Sequence, residues 1–167
     1  MIRAVFIDRD DTLIIDKVYL KDPAGVELIS GSQQAICRWR EAGYCVVLIT
    51  NQSGVGRGIV TEAELAAQHL RLAELLGREA RLDGIYSCVH HPDHGCECRK
   101  PKPGLLHTAA AELGIALDQS WMLGDKPADV EAGLAAGCRT VQISRQDCPL
   151  ADLYAPDLAT AAQLICP

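Results

Sequence analysis

Three carboxylates, Asp8, Asp10 and Asp11, stand within four residues directly after the apolar run Ala4 to Ile7. In an extended chain, side chains two residues apart point the same way, so Asp8 and Asp10 can share one site. A pair of acids there can hold a divalent cation, attack an electrophile or move a proton. A lone D-x-D is as readily a solvated loop or a helix cap, so the rest of the chain has to decide. A second apolar run, "VVLI", leads into Thr50, Asn51, Gln52 and Ser53, four side chains able to make hydrogen bonds. "CRKPKPG" contributes Arg99 and Lys100, and "MLGDKPAD" puts Asp125, Lys126 and Asp129 after another apolar run. Acids, hydroxyls and a lysine therefore gather at successive strand ends.

The stretch "CVHHPDHGCEC" carries a different chemistry. Cys88, His90, Cys96 and Cys98 form C-x-H-x5-C-x-C, and thiolates with an imidazole suit a closed, tetrahedral, structural Zn2+ site. His91 and His94 compete as ligands; His90 is preferred because the one-residue spacing of Cys88 and His90 recurs in Cys96 and Cys98. The remaining cysteines, Cys37, Cys45, Cys138, Cys148 and Cys166, lie mostly in apolar surroundings and need only packing reasons.

Short runs rich in Val and Ile at Ala4 to Ile7, Cys45 to Ile49, Ile85 to Val89, Met122 to Leu123 and Thr140 to Ile143 predict buried strands. Helical patterns fall between them at Ser32 to Ala42, Thr61 to Gly77, Gly104 to Leu113 and Ala128 to Ala136, the second opening with Thr61 and Glu64 as a capping box. Alternation of this kind predicts a three-layer α/β fold: a Rossmann-like, doubly wound parallel sheet with helices on both faces. Ligands of such sheets bind beyond the carboxyl ends of the strands, where the acids are. The segment from Arg145 onward reads as an irregular tail around Pro149 and Pro156.

The ordered set D-x-D, Thr, Lys, G-D-x-x-x-D resembles the haloacid dehalogenase superfamily of aspartate-nucleophile phosphatases, and the likeness spans almost the whole chain. The resemblance implies one domain over residues 1–167 with a zinc loop at 88–98 and no large cap. It implies Asp8 as nucleophile, Asp10 as general acid and base, and Thr50 and Lys100 as donors to the phosphoryl oxygens. It also implies a catalytic Mg2+ on Asp8, the Asp10 backbone carbonyl and Asp125. These roles suit phosphoryl transfer, in which positioning and charge neutralisation do most of the work. Asp11 departs from the family, which has glycine there. Aspartate is among the few residues that tolerate a left-handed backbone, so Asp11 reads as a backbone-compatible replacement whose extra charge could weaken substrate binding or tighten metal binding.

Within the superfamily, "DRD", "TNQ", the C-x-H…C-x-C loop and "CRKP" resemble two families, the D-glycero-D-manno-heptose-1,7-bisphosphate phosphatases and the histidinol-phosphate phosphatases. "TNQSGVGRG" and "RKPKPG" look more like the first. A bisphosphate needs a second anion site, for which Arg57, Arg99 and Lys126 are the candidates. Asp16 to Tyr19 would line the entrance, with Asn51, Gln52 and Ser53 beside the phosphate. The alternative from another class is a receiver-like phosphoacceptor that switches partners without turnover. At 167 residues with a formal net charge of −6, the chain offers no broad basic field for nucleic acid or an anionic membrane. Charges interrupt every short apolar run, so neither a signal peptide nor a span of ~20 apolar residues is expected. A monomeric cytoplasmic protein acting on a sugar phosphate is the expectation.

Overall fold

In the computed structural model, which describes residues 1–166, six strands form one all-parallel sheet. In chain order they are β1 (Ala4–Ile7), β2 (Cys45–Asn51), β3 (Gly84–Cys88), β4 (Trp121–Gly124), β5 (Arg139–Ile143) and β6 (Leu153–Ala155). The spatial order is β3-β2-β1-β4-β5-β6. The chain thus builds outward from β1 in one direction, then crosses back and builds outward in the other. Connections leaving β1 and β4 part company at this reversal, which opens a crevice between their carboxyl ends. Asp8 and Asp125 are the residues that step off those two strands.

Side chains alternate across the sheet as strand geometry requires. Val5, Ile7, Val46, Leu48, Leu123 and Val141 pack beneath α1 (Ser32–Glu41), α3 (Glu62–Leu76) and α6 (Leu158–Ile165). Ala4, Phe6, Val47, Ile49 and Met122 pack beneath α4 (Gly104–Leu113) and α5 (Pro127–Ala135). A single turn, α2 (Ser53–Gly56), follows β2. The expected strands and helices are all present with ends shifted by one or two residues, and Thr61 and Glu64 make the reciprocal capping bonds at the start of α3. The irregular tail is corrected: it contains β6 and α6, whose Leu158, Ala161 and Ala162 complete the core. Its small alanines and short strand gave no strong periodic signal, and the structure is held by packing against α1 and β5. Among the described residues there is no separate cap. Among the described residues no helix is long and apolar enough to cross a membrane.

Candidate active site and metal cage

Asp8 leaves β1 with its backbone N–H still donating to the Leu123 carbonyl at 2.9 Å, so its position is set by the sheet. Its Oδ1 accepts from Lys100 Nζ at 2.6 Å. The same ammonium reaches Asp129 Oδ1 at 2.6 Å and the Ile49 carbonyl at 2.9 Å, which uses all three of its hydrogens. Asp8, Lys100, Asp125 and Asp129 are all buried. Burial pushes the Asp8 carboxyl up to about 8; Lys100 opposes the shift and Asp129 and Asp10 add to it. Burial, then Asp129, also raises Asp125. The ammonium of Lys100 is held in its charged form: burial works against it, and the two carboxylates more than offset that.

Three buried acids around one lysine leave negative charge uncompensated, and their ligand oxygens lie within 4.8 Å of one another. That surplus, with oxygen donors only, fits a hard divalent cation such as Mg2+. Asp129 belongs to the cluster but is already engaged through both oxygens, Oδ1 by Lys100 and Oδ2 by the Lys126 N–H at 3.0 Å. Among the described residues Asp8 Oδ2 has no side-chain partner, and the side chain that reaches Asp125 is Thr12, through Oγ1 at 3.5 Å. Gly124 makes the arrangement fit: a Cβ there would stand 2.2 Å from the Asp129 carboxylate.

Asp10 lies beside this cluster, its side chain turned to Arg9, which approaches both carboxylate oxygens through Nε at 3.2 Å and Oδ1 through Nη2 at 3.1 Å. Gln52 is fixed by what surrounds it. Arginine can only donate, so the atom facing Arg9 Nη2 at 3.0 Å must be Oε1. Nε2 then donates to Asp10 Oδ2 at 2.8 Å and to Thr50 Oγ1 at 2.7 Å. Since the buried Thr50 hydroxyl accepts from Gln52, its own hydrogen remains available to donate. The Asn51 amide spans the Lys100 peptide, donating to its carbonyl and accepting from its N–H, both at 3.1 Å.

A cleft of about 250 Å3 is lined by Asp8, Asp10, Lys100, Arg99, Lys126 and Asp129, with Asn51 and Ser53. A second of about 230 Å3 shares Asp10, Asn51, Ser53 and Lys126, and is completed by Arg9, Gln52, Asp16 and Tyr19. A ligand with two lobes would touch both. Arg99 Nη1 is buried without a hydrogen-bond partner among the described residues, whereas Arg57 caps α2, is exposed and lines neither cleft. Asp11 has φ of 59°, in the left-handed region, and its Oδ1 accepts from the Asp16 N–H at 3.1 Å. It therefore braces the turn that carries Asp16 and Tyr19.

The thiols and the imidazole after β3 gather in one cluster. Cys88 Sγ lies 3.6 Å from Cys96 Sγ and 3.2 Å from Cys98 Sγ, and His90 Nδ1 lies 3.2 Å from Cys98 Sγ and 3.6 Å from Cys88 Sγ. A tetrahedron with metal–sulfur bonds of about 2.3 Å has edges of about 3.8 Å, so the cluster fits Zn2+. His91 Nδ1 instead accepts from the Asp93 N–H, and His94 stacks on the His90 ring at 4.5 Å. Burial and the neighbouring thiols push Cys98 up to about 12, while for Cys96 burial is outweighed by donation from Cys98, Arg99 and Cys88, which holds it at about 6. Gly56 lets α2 lie against this loop; a Cβ there would come within 2.2 Å of the His91 nitrogen.

Sequence reasoning missed Arg9, Gln68 and the part played by Asp129. Gln68 was findable: it occupies a core position in the stripe Leu65, Gln68, Leu72, Leu76 of α3, where an apolar residue is expected.

A parallel sheet with its acids at the β1/β4 reversal places the molecule among the hydrolases of the haloacid dehalogenase class, and the HAD-hydrolase-like family model matches residues 97–164. A D-glycero-beta-D-manno-heptose-1,7-bisphosphate 7-phosphatase from Yersinia pestis is 42% identical over 159 residues, covering 88% of this chain and 82% of that one. One from Helicobacter pylori is 43% identical over 136 residues, 80% of this chain and 79% of that one. The crystal structure of a D,D-heptose 1,7-bisphosphate phosphatase from B. bronchiseptica, complexed with magnesium and phosphate, superposes with a TM-score of 0.90 at 32% identity over 98% of each chain. The chain belongs to the family of the heptose-1,7-bisphosphate phosphatases, which sets aside the phosphoacceptor-switch reading of the same residue types.

Proposed function

We propose that the chain is a Mg2+-dependent phosphatase that removes the 7-phosphate of D-glycero-D-manno-heptose 1,7-bisphosphate and leaves the 1-phosphate. The observation that carries this reading is Lys100 bound to Asp8 beside Asp125, at the foot of a two-lobed cleft with an unpartnered arginine nitrogen on its wall. The relatives from Yersinia pestis and Helicobacter pylori are named for this substrate in its β form.

The free Oδ2 of Asp8 attacks phosphorus in line, forming an aspartyl-phosphate as the bond to the sugar oxygen breaks. Asp10 donates the proton that the departing alkoxide takes up, then removes one from the water that attacks the aspartyl-phosphate, so one carboxyl serves both halves. Lys100 Nζ and the Thr50 hydroxyl donate to the equatorial oxygens. Asp8, the Asp10 carbonyl and Asp125 would hold Mg2+, which neutralises charge on the phosphoryl group. Cys88, His90, Cys96 and Cys98 would hold Zn2+, which shapes the loop carrying Arg99 and Lys100. Arg99 and Lys126 take the far phosphate, with Arg57 at the rim. Asp16, Tyr19, Asn51, Gln52 and Ser53 shape the sugar's side of the cleft.

The test is phosphate release in Mg2+ from both anomers of the bisphosphate and from histidinol phosphate, with Asp8→Asn as control. Asp8-dependent loss of one phosphate from the bisphosphate is expected, and preference for histidinol phosphate would overturn the substrate assignment.

A further inference from the structure

Behind Asp10 lies a chain of hydrogen bonds that the chemistry above leaves unused. Gln68 of α3 is 1% exposed, and its Nε2 donates to the Leu20 carbonyl at 2.6 Å. Its Oε1 accepts from Arg9 Nη1 at 3.1 Å. The direction is forced, because a carbonyl only accepts and a guanidinium only donates. Arg9, itself buried, then grips Asp10 through Nε and Nη2. His69 Nε2 stands 3.5 Å from the same Nη1 and can face it only as an acceptor. The Leu20 end is not arbitrary either. Leu20 lines the second lobe of the cleft and closes the segment in which Val18 and Tyr19 both have positive φ, 39° and 54°. A β-branched residue at positive φ is held there by its surroundings. The Tyr19 ring lies against Gly54, where a Cβ would come within 2.8 Å of it.

We infer that Gln68 is a positioning residue for the phosphatase reaction: it holds Arg9, and through Arg9 the carboxyl of Asp10, in register with the bent segment ending at Leu20 that forms the substrate entrance. The inference rests on the assignment of Asp10 as the group that protonates the leaving alkoxide. Each end of the amide is matched to one partner, and no apolar residue of that volume can replace either bond. A second helix, α3, thereby sets the aim of a side chain that belongs to the β1 loop. Gln68 touches no reacting atom.

A side chain that aims a general acid matters in proportion to how poor the leaving group is. The experiment compares kcat/KM, which reports only steps up to aspartyl-phosphate formation, for the heptose bisphosphate, phenyl phosphate and p-nitrophenyl phosphate. Nitrophenolate leaves without a proton, and a sugar alkoxide does not. Gln68→Met, close in volume, should lower kcat/KM for the bisphosphate roughly 10²-fold while that for p-nitrophenyl phosphate stays within about threefold, so the dependence on leaving-group basicity steepens. Gln68→Glu keeps the acceptor facing Arg9 but sets a carboxylate oxygen against the Leu20 carbonyl, so it should return part of the lost rate and not all of it. Arg9→Lys keeps the charge, but one ammonium cannot reach Gln68, Gln52 and Asp10 together, so it should steepen the same dependence without altering α3. Equal losses on all three esters in a folded Gln68→Met protein, or an unchanged dependence in both Gln68→Met and Arg9→Lys, would overturn the inference. Failure of the substrate assignment looks different: the unaltered protein would then show no preference for the bisphosphate over the aryl esters, whatever the variants do.

Discussion

Lys100→Met removes the one ammonium that three acceptors share. The aliphatic stem is nearly preserved, so the change isolates charge and hydrogen bonding. Asp8 and Asp129 are each 2.6 Å from Nζ and both are buried, so the substitution leaves two carboxylates without their cation. Breaking a buried ion pair by deleting one partner costs about 3–5 kcal/mol, which for a chain of this size lowers the unfolding midpoint by about 6–20 °C. The loss is bounded, because a carboxyl already pushed to about 8 can take up a proton instead of remaining charged. Destabilisation should therefore be largest above pH 8 and shrink toward pH 5. Denaturant unfolding in chelator-treated buffer at both pH values measures this directly. Adding Asp129→Asn, which keeps an acceptor but removes a charge, should recover about 2 kcal/mol of the loss as a coupling between the two sites. Catalysis falls independently, by about 10²–10³ in kcat, because a donor to the phosphoryl oxygens is gone. A Lys100→Met protein within about 1 kcal/mol of the parent at pH 8 would refute the reasoning, since it would mean that the two acids do not depend on the ammonium.

Three further outcomes are expected. Cys98→Ser, or a strong chelator, should expel one equivalent of Zn2+ by metal analysis and lower the melting temperature; a protein purified free of zinc with the same melting temperature would contradict a structural ion. Arg99→Ala should raise KM for the bisphosphate by about tenfold or more, as for loss of a charge-assisted contact, and Arg57→Ala far less; steady-state kinetics decide, and the reverse order would refute the ranking. Burial and Arg9 hold His69 down at about 4 from the ordinary 6.5, so neutral His69 contributes stability that is present above pH 6.5 and lost as pH falls through 4. Melting curves across that window should be steeper for the parent than for His69→Gln; parallel curves would be the contrary result.

Why some of this was legible in the sequence and some was not has a physical basis. β1 and β2 carry runs of Val, Ile, Leu and Phe buried on both faces, and α3 carries a capping box, so their signals are local. Asp8, Thr50, Lys100 and Asp125 come from four separate strand ends, and only the order of the motifs could bring them together. The cage was legible because its ligands lie within eleven residues of one another. α6 was not, because its alanines acquire meaning only against α1. The parts played by Asp129 and Gln68 rest on partners 29 and 48 residues away, and only the apolar stripe around Gln68 gave a local hint. Arg9 stood in plain view inside "DRD", but nothing local says that an arginine there turns inward.

The bonds from Arg9 through Gln52 to Thr50 run in one direction only. A guanidinium keeps its charge at every pH at which the protein is folded, so the amide cannot turn around. Thr50 consequently receives a hydrogen from the amide and keeps its own hydrogen to give. A hydroxyl that already accepts is a better donor, which favours acceptor-only oxygens such as those of a phosphate monoester dianion or of sulfate. Selection among ligands at this point is thus written by an arginine that stands two hydrogen bonds behind the threonine.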